Sequence, residues 1–182
     1  MSDIDYENLV ISLPNYPQPG IMFKDVTPVF ADAEAFSSLV NDIAEAFKDA
    51  GITKVVGAEA RGFILGAPVA LKMGVGFVPA RKPGKLPRNT ISEKYGLEYG
   101  SDELHIHADA LSEDDVVLLV DDLVASGGTA IAQIHLVHKC GARVGGLAFL
   151  LELAYLHPRE NIAKELDAPI FSECVVEQEN WD

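Results

Sequence analysis

Residues 116–129 constrain this chain more than any other stretch. Val116, Val117, Leu118, Leu119 and Val120 form an unbroken, mostly β-branched apolar run. Such a run reads as a strand covered on both faces, as in a parallel sheet. Asp121 and Asp122 stand at its carboxyl end, where ligands bind in open α/β sheets. The small-residue turn Ala125, Ser126, Gly127, Gly128 and Thr129 then leads into residues 130–137, which read as a helix. One short unit thus offers paired carboxylates, two hydroxyls and a helix N-terminus whose free N–H groups suit a phosphate. Its glycines let the backbone close around phosphate oxygens. The acid pair alone fits equally well a tight strand-to-helix turn, since acids are favoured at helix starts. No Lys-Ser/Thr follows the glycines, and the spacing is not that of a dinucleotide-binding turn.

A second strand-to-helix turn lies at residues 54–63, with Glu59 and Arg61 at its tip. The helix dipole disfavours a cation there, and a bound anion would reverse that cost; a solvated Glu/Arg pair is the plainer reading. Residues 81–88 (Arg81, Lys82, Pro83, Gly84, Lys85, Leu86, Pro87, Arg88) are the only basic cluster in a chain of net charge −14. By themselves they read as a solvated loop, with proline and glycine enough to be a positioned, mobile one. The acidic balance argues against nucleic acid as a partner. Two cysteines, Cys140 and Cys174, provide no disulfide framework and suit a reducing cytosol. The acidic N-terminus does not read as a signal peptide, and no window approaches the ~18 apolar residues of a membrane helix. A cytoplasmic protein with no membrane partner is expected.

The remaining pattern alternates helices and strands. Residues 4–13 predict a short helix with Ser2 and Asp5 as a capping pair, and residues 21–30 an apolar edge segment in which packing is the default explanation of Phe23. Asp32 is an N-cap for a helix whose apolar face is Phe36, Leu39, Val40, Ile43, Ala44 and Phe47. Residues 64–73 continue as a helix and 75–80 as a strand. Two strands, 90–99 and 103–108, flank a turn at Gly100, Ser101 and Asp102. His105 and His107 share a face of the second, but lack the further ligands of a structural metal site. A strand at 142–153, a helix at 158–166 and a strand at 169–176 complete the chain. This is an α/β pattern: a mostly parallel central sheet flanked by helices, with right-handed crossovers. No repeat or linker divides residues 1–182, so one domain is expected.

The motif from Val120 to Thr129 resembles the phosphoribosyl-pyrophosphate (PRPP) signature of type I phosphoribosyltransferases, and the rest of the chain is similar to the adenine-specific members of that family. The similarity runs from about residue 17 to 153. It implies that the enzyme transfers the 5-phosphoribosyl group of PRPP to adenine, giving AMP and pyrophosphate in purine salvage. It implies a fold with an N-terminal hood (residues 1–30), a core (31–182) and a flexible β-hairpin loop over the active site (about 82–108). The hood passage, Pro19 to Asp25, would place Met22, Phe23 and Lys24 at the adenine; the family often has Arg at the Lys24 position, and Lys lacks its planar fork. The turn at Arg61 would hold pyrophosphate, with a cis peptide at Ala60–Arg61. Lys82 and Lys85 would sit near the phosphates, Ala125, Ser126, Gly127, Gly128 and Thr129 would anchor the 5-phosphate, and Asp121 and Asp122 would hold the ribose. Leu97, Glu98 and Tyr99 match the family loop, with Glu98 as acid/base near the purine and Tyr99 closing the loop. The resemblance also implies Mg²⁺, bound mainly through pyrophosphate and water, and a homodimer. Transfer to another purine, or a non-catalytic PRPP sensor, are the alternatives.

Overall fold

The computed structural model describes residues 4–97 and 100–178. Its N-terminal arm carries α1 (Tyr6–Leu9), β1 (Ile11–Pro14) and β2 (Met22–Asp25). Asp5 caps α1, its carboxylate accepting the Asn8 N–H at 3.2 Å; Ser2 lies outside the described residues. The helix expected over residues 4–13 therefore stops at Leu9. Residues 11–14 pair antiparallel with β2 instead, Ile11 opposite Asp25 and Leu13 opposite Phe23, and Pro14 suits a strand edge better than a helix interior. After α2 (Thr27–Ala31), Asp32 caps α3 (Ala33–Ala46) as expected, accepting from the N–H groups of Glu34 and Ala35 at 3.0 and 2.9 Å.

The core follows as β3 (Lys54–Ala58), α4 (Arg61–Met73), β4 (Gly76–Ala80), β5 (Thr90–Leu97), β6 (Gly100–His107), β7 (Val116–Val124), α5 (Gly128–Lys139), β8 (Arg143–Leu153), a 3₁₀ turn (Ala154–Leu156), α6 (Pro158–Ala163) and β9 (Ile170–Val176). Five strands make one sheet in the order β4-β3-β7-β8-β9, with every pairing parallel. From β3 the chain winds through α4 to β4; from β7 it winds the opposite way to β8 and β9. The strand order therefore reverses between β3 and β7, and a crevice opens outside their carboxyl ends.

Strand β7 is the rigid floor of that crevice. Val117, Leu118, Leu119 and Val120 are all at most 1% exposed, and they enter two cores alternately, as the pleat requires. Leu118 and Val120 pack with Val55, Leu65 and Ile43, whereas Val117 and Leu119 pack with Ile134, Leu136 and Ile106. Burial of each such side chain contributes about 1.5–3 kcal/mol. The strand was expected to end before the acids, yet it runs on to Val124. The long strand β8 keeps pairing with it, Leu123 opposite Leu151 and Val124 opposite Glu152, so Asp121 and Asp122 lie inside the ladder.

Strands β5 and β6 form a separate antiparallel hairpin in which Leu97 faces Gly100 and Tyr95 faces Asp102. Residues 100–102, expected as the turn, thus belong to β6. A two-way bridge anchors the hairpin to the sheet, Arg81 N–H to His105 O and His105 N–H to Arg81 O, both 2.8 Å. His105 faces Thr90 Oγ1 at 3.1 Å and Glu103 at 3.2 Å. Among the described residues no cluster of acids, histidines or cysteines suits a metal on its own, and no helix is long and apolar enough to cross a membrane.

Candidate active site

A cleft of about 350 Å³ occupies the crevice between β3 and β7. Its floor is the turn at residues 59–61 and the unbroken segment 121–130, and its wall is made by Lys82 with Tyr95 and Asp102 of the hairpin. The helices α4 and α5 both begin here, and neither is capped by a side chain. Their first N–H groups lack intrahelical partners, and Arg61, Gly128 and Thr129 of those first turns line the cleft.

The acids of β7 are held in different ways. Asp122 is 3% exposed, and its Oδ2 lies 2.8 Å from Arg61 Nε without the alignment of a hydrogen bond. Asp121 Oδ1 accepts the Asp122 N–H at 2.9 Å and lies against Gly62. A Cβ on that glycine would stand 2.9 Å from the same oxygen. Burial, followed by the charge of Asp122, raises the proton affinity of Asp121 well above the usual carboxylate range. Burial raises Asp122 too, against the opposing pull of Arg61. The pair therefore retains a proton more readily than two exposed acids, with Asp121 the better acceptor.

Arg61 opens α4 at the position where a cation opposes the dipole. Its compensation is the Asp122 carboxylate below it and the Phe23 ring, whose centroid is 5.5 Å from the guanidinium carbon. The peptide before Arg61 is trans; the cis bond lies one residue earlier, at Glu59–Ala60. Ala60 itself has helical dihedrals. Glu59 Oε2 accepts the Lys82 N–H at 2.8 Å and Arg81 Nε at 3.1 Å, and these contacts, the Lys82 amide first, lower its pKa.

The segment Ala125, Ser126, Gly127, Gly128 and Thr129 lines the cleft as a cradle. Gly127 has φ +94°, a left-handed conformation that glycine enters without steric penalty. Behind it, Asn161 Nδ2 donates to Ser126 O at 3.0 Å, and Ile162 lies 3.2 Å from where a Gly127 Cβ would project. Helix α6 therefore buttresses the cradle.

The structure brings Arg61, Lys82, Asp121, Asp122 and residues 125–129 to one cleft, but several other expected residues are elsewhere. Met22, Phe23 and Lys24 do not line it: Met22 is buried, Lys24 Nζ donates to Ser12 Oγ at 2.7 Å, and Phe23 reaches the site only by its contact with Arg61. Lys85 is also off the lining, and its carbonyl accepts from Arg81 Nη1 at 3.2 Å. Glu98 and Tyr99 lie outside the described residues. Three residues were missed. Tyr95 and Asp102 form a cross-strand pair, and the alternation of Leu104 and Ile106, extended backward, puts Asp102 on the inward face. Asn161 left no local signal, because its partner comes from a distant turn.

The phosphoribosyl transferase domain family matches residues 30–180. An adenine phosphoribosyltransferase of Psychromonas ingrahamii is 52% identical over 168 residues, covering 92% of each chain. The crystal structure of adenine phosphoribosyltransferase from Thermoanaerobacter pseudethanolicus superposes with a TM-score of 0.89 at 43% identity, covering 94% of this chain and 98% of that one. That of the Giardia lamblia enzyme, complexed with 9-deazaadenine, does so with a TM-score of 0.92 at 36% identity, covering 98% and 99%. With a strand-order reversal, an acid pair and an uncapped glycine cradle meeting in one cleft, and with these similarities over nearly its whole length, the chain belongs to the adenine phosphoribosyltransferase family.

Proposed function

We propose that this protein transfers the 5-phosphoribosyl group of PRPP to N9 of adenine, releasing AMP and pyrophosphate. The observation that carries the reading is the meeting of Asp121 and Asp122 with the uncapped start of α5 and with Arg61 at the crevice. The cradle of residues 125–129 takes the 5-phosphate on N–H groups and hydroxyls. Asp121 and Asp122 hold the ribose hydroxyls, and the retained negative charge favours the oxocarbenium character that develops at carbon 1 as pyrophosphate leaves. Arg61 and Lys82 receive the pyrophosphate, with Lys85 approaching from the loop. Closure of the hairpin excludes water so that the base attacks.

The charge of the cleft supports a role for Mg²⁺. Among the described residues, Glu59, Asp102, Asp121 and Asp122 line it against Arg61 and Lys82, an acidic balance that would repel a bare polyphosphate. The donors present would fit a magnesium ion that arrives with its phosphates and keeps several waters, with the carboxylates of Asp121 and Asp122 among the cleft groups that would hold those waters. When bound, the ion neutralises charge on the leaving pyrophosphate.

In the same reading, Phe23, Met22 and Lys24 of the hood close over adenine, Glu98 exchanges a proton with the purine, and Tyr99 helps seal the loop. The ring of Phe23 against Arg61 supports the hood's part by putting β2 at the cleft edge. We place the protein in the cytoplasm as a homodimer; two free cysteines accord with the former, and light scattering at twice the chain mass tests the latter. The reaction is tested by following AMP formation from PRPP, Mg²⁺ and adenine, with hypoxanthine, guanine and xanthine in parallel. Product from adenine alone is expected. Product from another base instead would overturn the reading of the hood, and PRPP binding without any product would point to a sensor.

A further inference from the structure

The cleft that receives pyrophosphate contains a carboxylate with no obvious use there. Asp102 lines it from the hairpin, and its Oδ2 is ion-paired with Lys82 Nζ while accepting from the Tyr95 hydroxyl at 3.2 Å. Lys82 Nζ also donates to the Tyr95 hydroxyl at 3.3 Å and lies 5.7 Å from the centre of that ring. Asp102 Oδ1 accepts the Glu103 N–H at 2.8 Å. The carboxylate is thus held in place from its own strand and from the strand opposite, while Glu59 holds the Lys82 backbone. The cation placed to meet an incoming anion already has one.

Resting on the function proposed above, we propose that Asp102 is a positioning residue that competes with pyrophosphate for Lys82 and so limits how tightly this product is held. An ammonium has three N–H donors, and two of those on Lys82 are engaged by the hairpin. Pyrophosphate must displace Asp102 or share the lysine with it, at the cost of like-charge repulsion in either case. The side chains of Lys82 and Asp102 are 35% and 26% exposed, so water screens the pair and keeps it weak enough to exchange. When pyrophosphate departs, Asp102 recaptures the lysine, with the Tyr95 hydroxyl, opposite it on the hairpin, beside both. The anion site is therefore self-neutralised when empty. This opposes product retention, a useful property where the leaving anion carries several charges.

The test is the sign of a change. AMP formation from PRPP and adenine by the wild-type protein is measured first, and its failure would remove the function itself. Given activity, magnesium pyrophosphate is titrated into wild type and Asp102→Asn by calorimetry and assayed as a product inhibitor. Tighter pyrophosphate binding is expected in the variant, by about two- to five-fold as befits a partly exposed pair, with a lower kcat where product release limits turnover. Asp102→Glu, which restores the charge, should return the affinity toward wild type. In a Lys82→Met background the Asp102→Asn effect should shrink, since the two residues are coupled. Weaker or unchanged pyrophosphate binding in folded Asp102→Asn would overturn the proposal. Should that variant fail to fold, Tyr95→Phe, which removes only the hydroxyl linking the pair, is expected to tighten pyrophosphate binding to a smaller degree, and the opposite sign would again overturn it.

Discussion

Arg61 Nε lies 2.8 Å from Oδ2 of Asp122, so that a cation at the start of α4 neutralises an acid buried in β7. The two depend on each other. Asp122 is 3% exposed and would be an uncompensated charge without the guanidinium, while Arg61 would face the positive end of its own helix without the carboxylate.

Arg61→Ala should therefore destabilise the fold as well as weaken pyrophosphate binding. A loss of about 2 kcal/mol is expected, below the range for fully buried pairs because Arg61 is partly exposed. Adding Asp122→Asn removes the orphaned charge, and urea titration should find the double variant more stable than Arg61→Ala alone. Asp121→Asn with Asp122→Asn should abolish AMP formation, by at least about a hundred-fold in kcat, while circular dichroism remains native.

Gly62 packs against the acid pair from α4. An added Cβ would stand 2.9 Å from Asp121 Oδ1 and 3.1 Å from Val120 O. Gly62→Ala must push the carboxyl aside or move the helix from the strand. It should cost about 1–3 kcal/mol of stability and raise KM for PRPP. An unchanged KM and midpoint would show that the carboxyl has room to move.

His135 clamps the hairpin. Its Nδ1 is 3.1 Å from Glu93 on β5 and its Nε2 is 3.1 Å from Glu165 beyond α6, and both contacts are hydrogen bonds only when both nitrogens carry protons. Lys139 also reaches Glu93, at 2.6 Å. Burial pulls the His135 pKa down, but the bonds to Glu165 and Glu93 outweigh it and the net shift is upward. A raised folded pKa means that the stabilisation is fully present below the unfolded value of about 6.5 and fades as pH rises through the folded one. The urea midpoints of wild type and His135→Asn should accordingly differ more at pH 6 than at pH 9. Lys139 should keep the hairpin attached at the higher pH.

The cradle's support is tested from behind. Glu152, 2% exposed, accepts from Arg159 Nη2 at 2.7 Å and Nε at 2.8 Å, and from Ser172 Oγ at 2.6 Å. Burial raises its pKa, but the Arg159 and Ser172 bonds prevail and the net shift is downward. The stabilisation holds above the ordinary carboxylate value and is lost as pH falls through the lowered one. Arg159→Ala should strand that carboxylate, at a cost of about 1–2 kcal/mol, since Arg159 itself is half exposed. Because Arg159 and Asn161 share α6, it should also raise KM for PRPP. Asn161→Asp, which cannot donate to Ser126 O, should raise KM by a few-fold with the unfolding midpoint little changed.

Much of the site was legible locally. The apolar run of β7 and the Gly-Gly turn after it carry their structure in short-range pattern, since a pleat of period two and a left-handed glycine need no distant partner. The same holds for Arg61 at the mouth of α4 and for Asp32 as the cap of α3. The hood was less legible. Residues 4–13 have an apolar spacing that serves a helix, but the strand at residues 11–14 depends on β2 lying alongside.

Outside the hood, sequence by itself thus determined the kinds of element, their order, and which turns offer donors and acids to a ligand, because periodicity, capping and turn chemistry act over a few residues. Tertiary structure alone decided the partners: that Arg61 meets Asp122, that Lys82 rather than Lys85 faces the cleft, that Asp102 pairs with that lysine, and that Asn161 stands behind Ser126. Those choices follow from a sheet order that reverses between β3 and β7 and from a hairpin folded back over it. Contacts of that reach are set by how buried surfaces pack, and no local pattern encodes them.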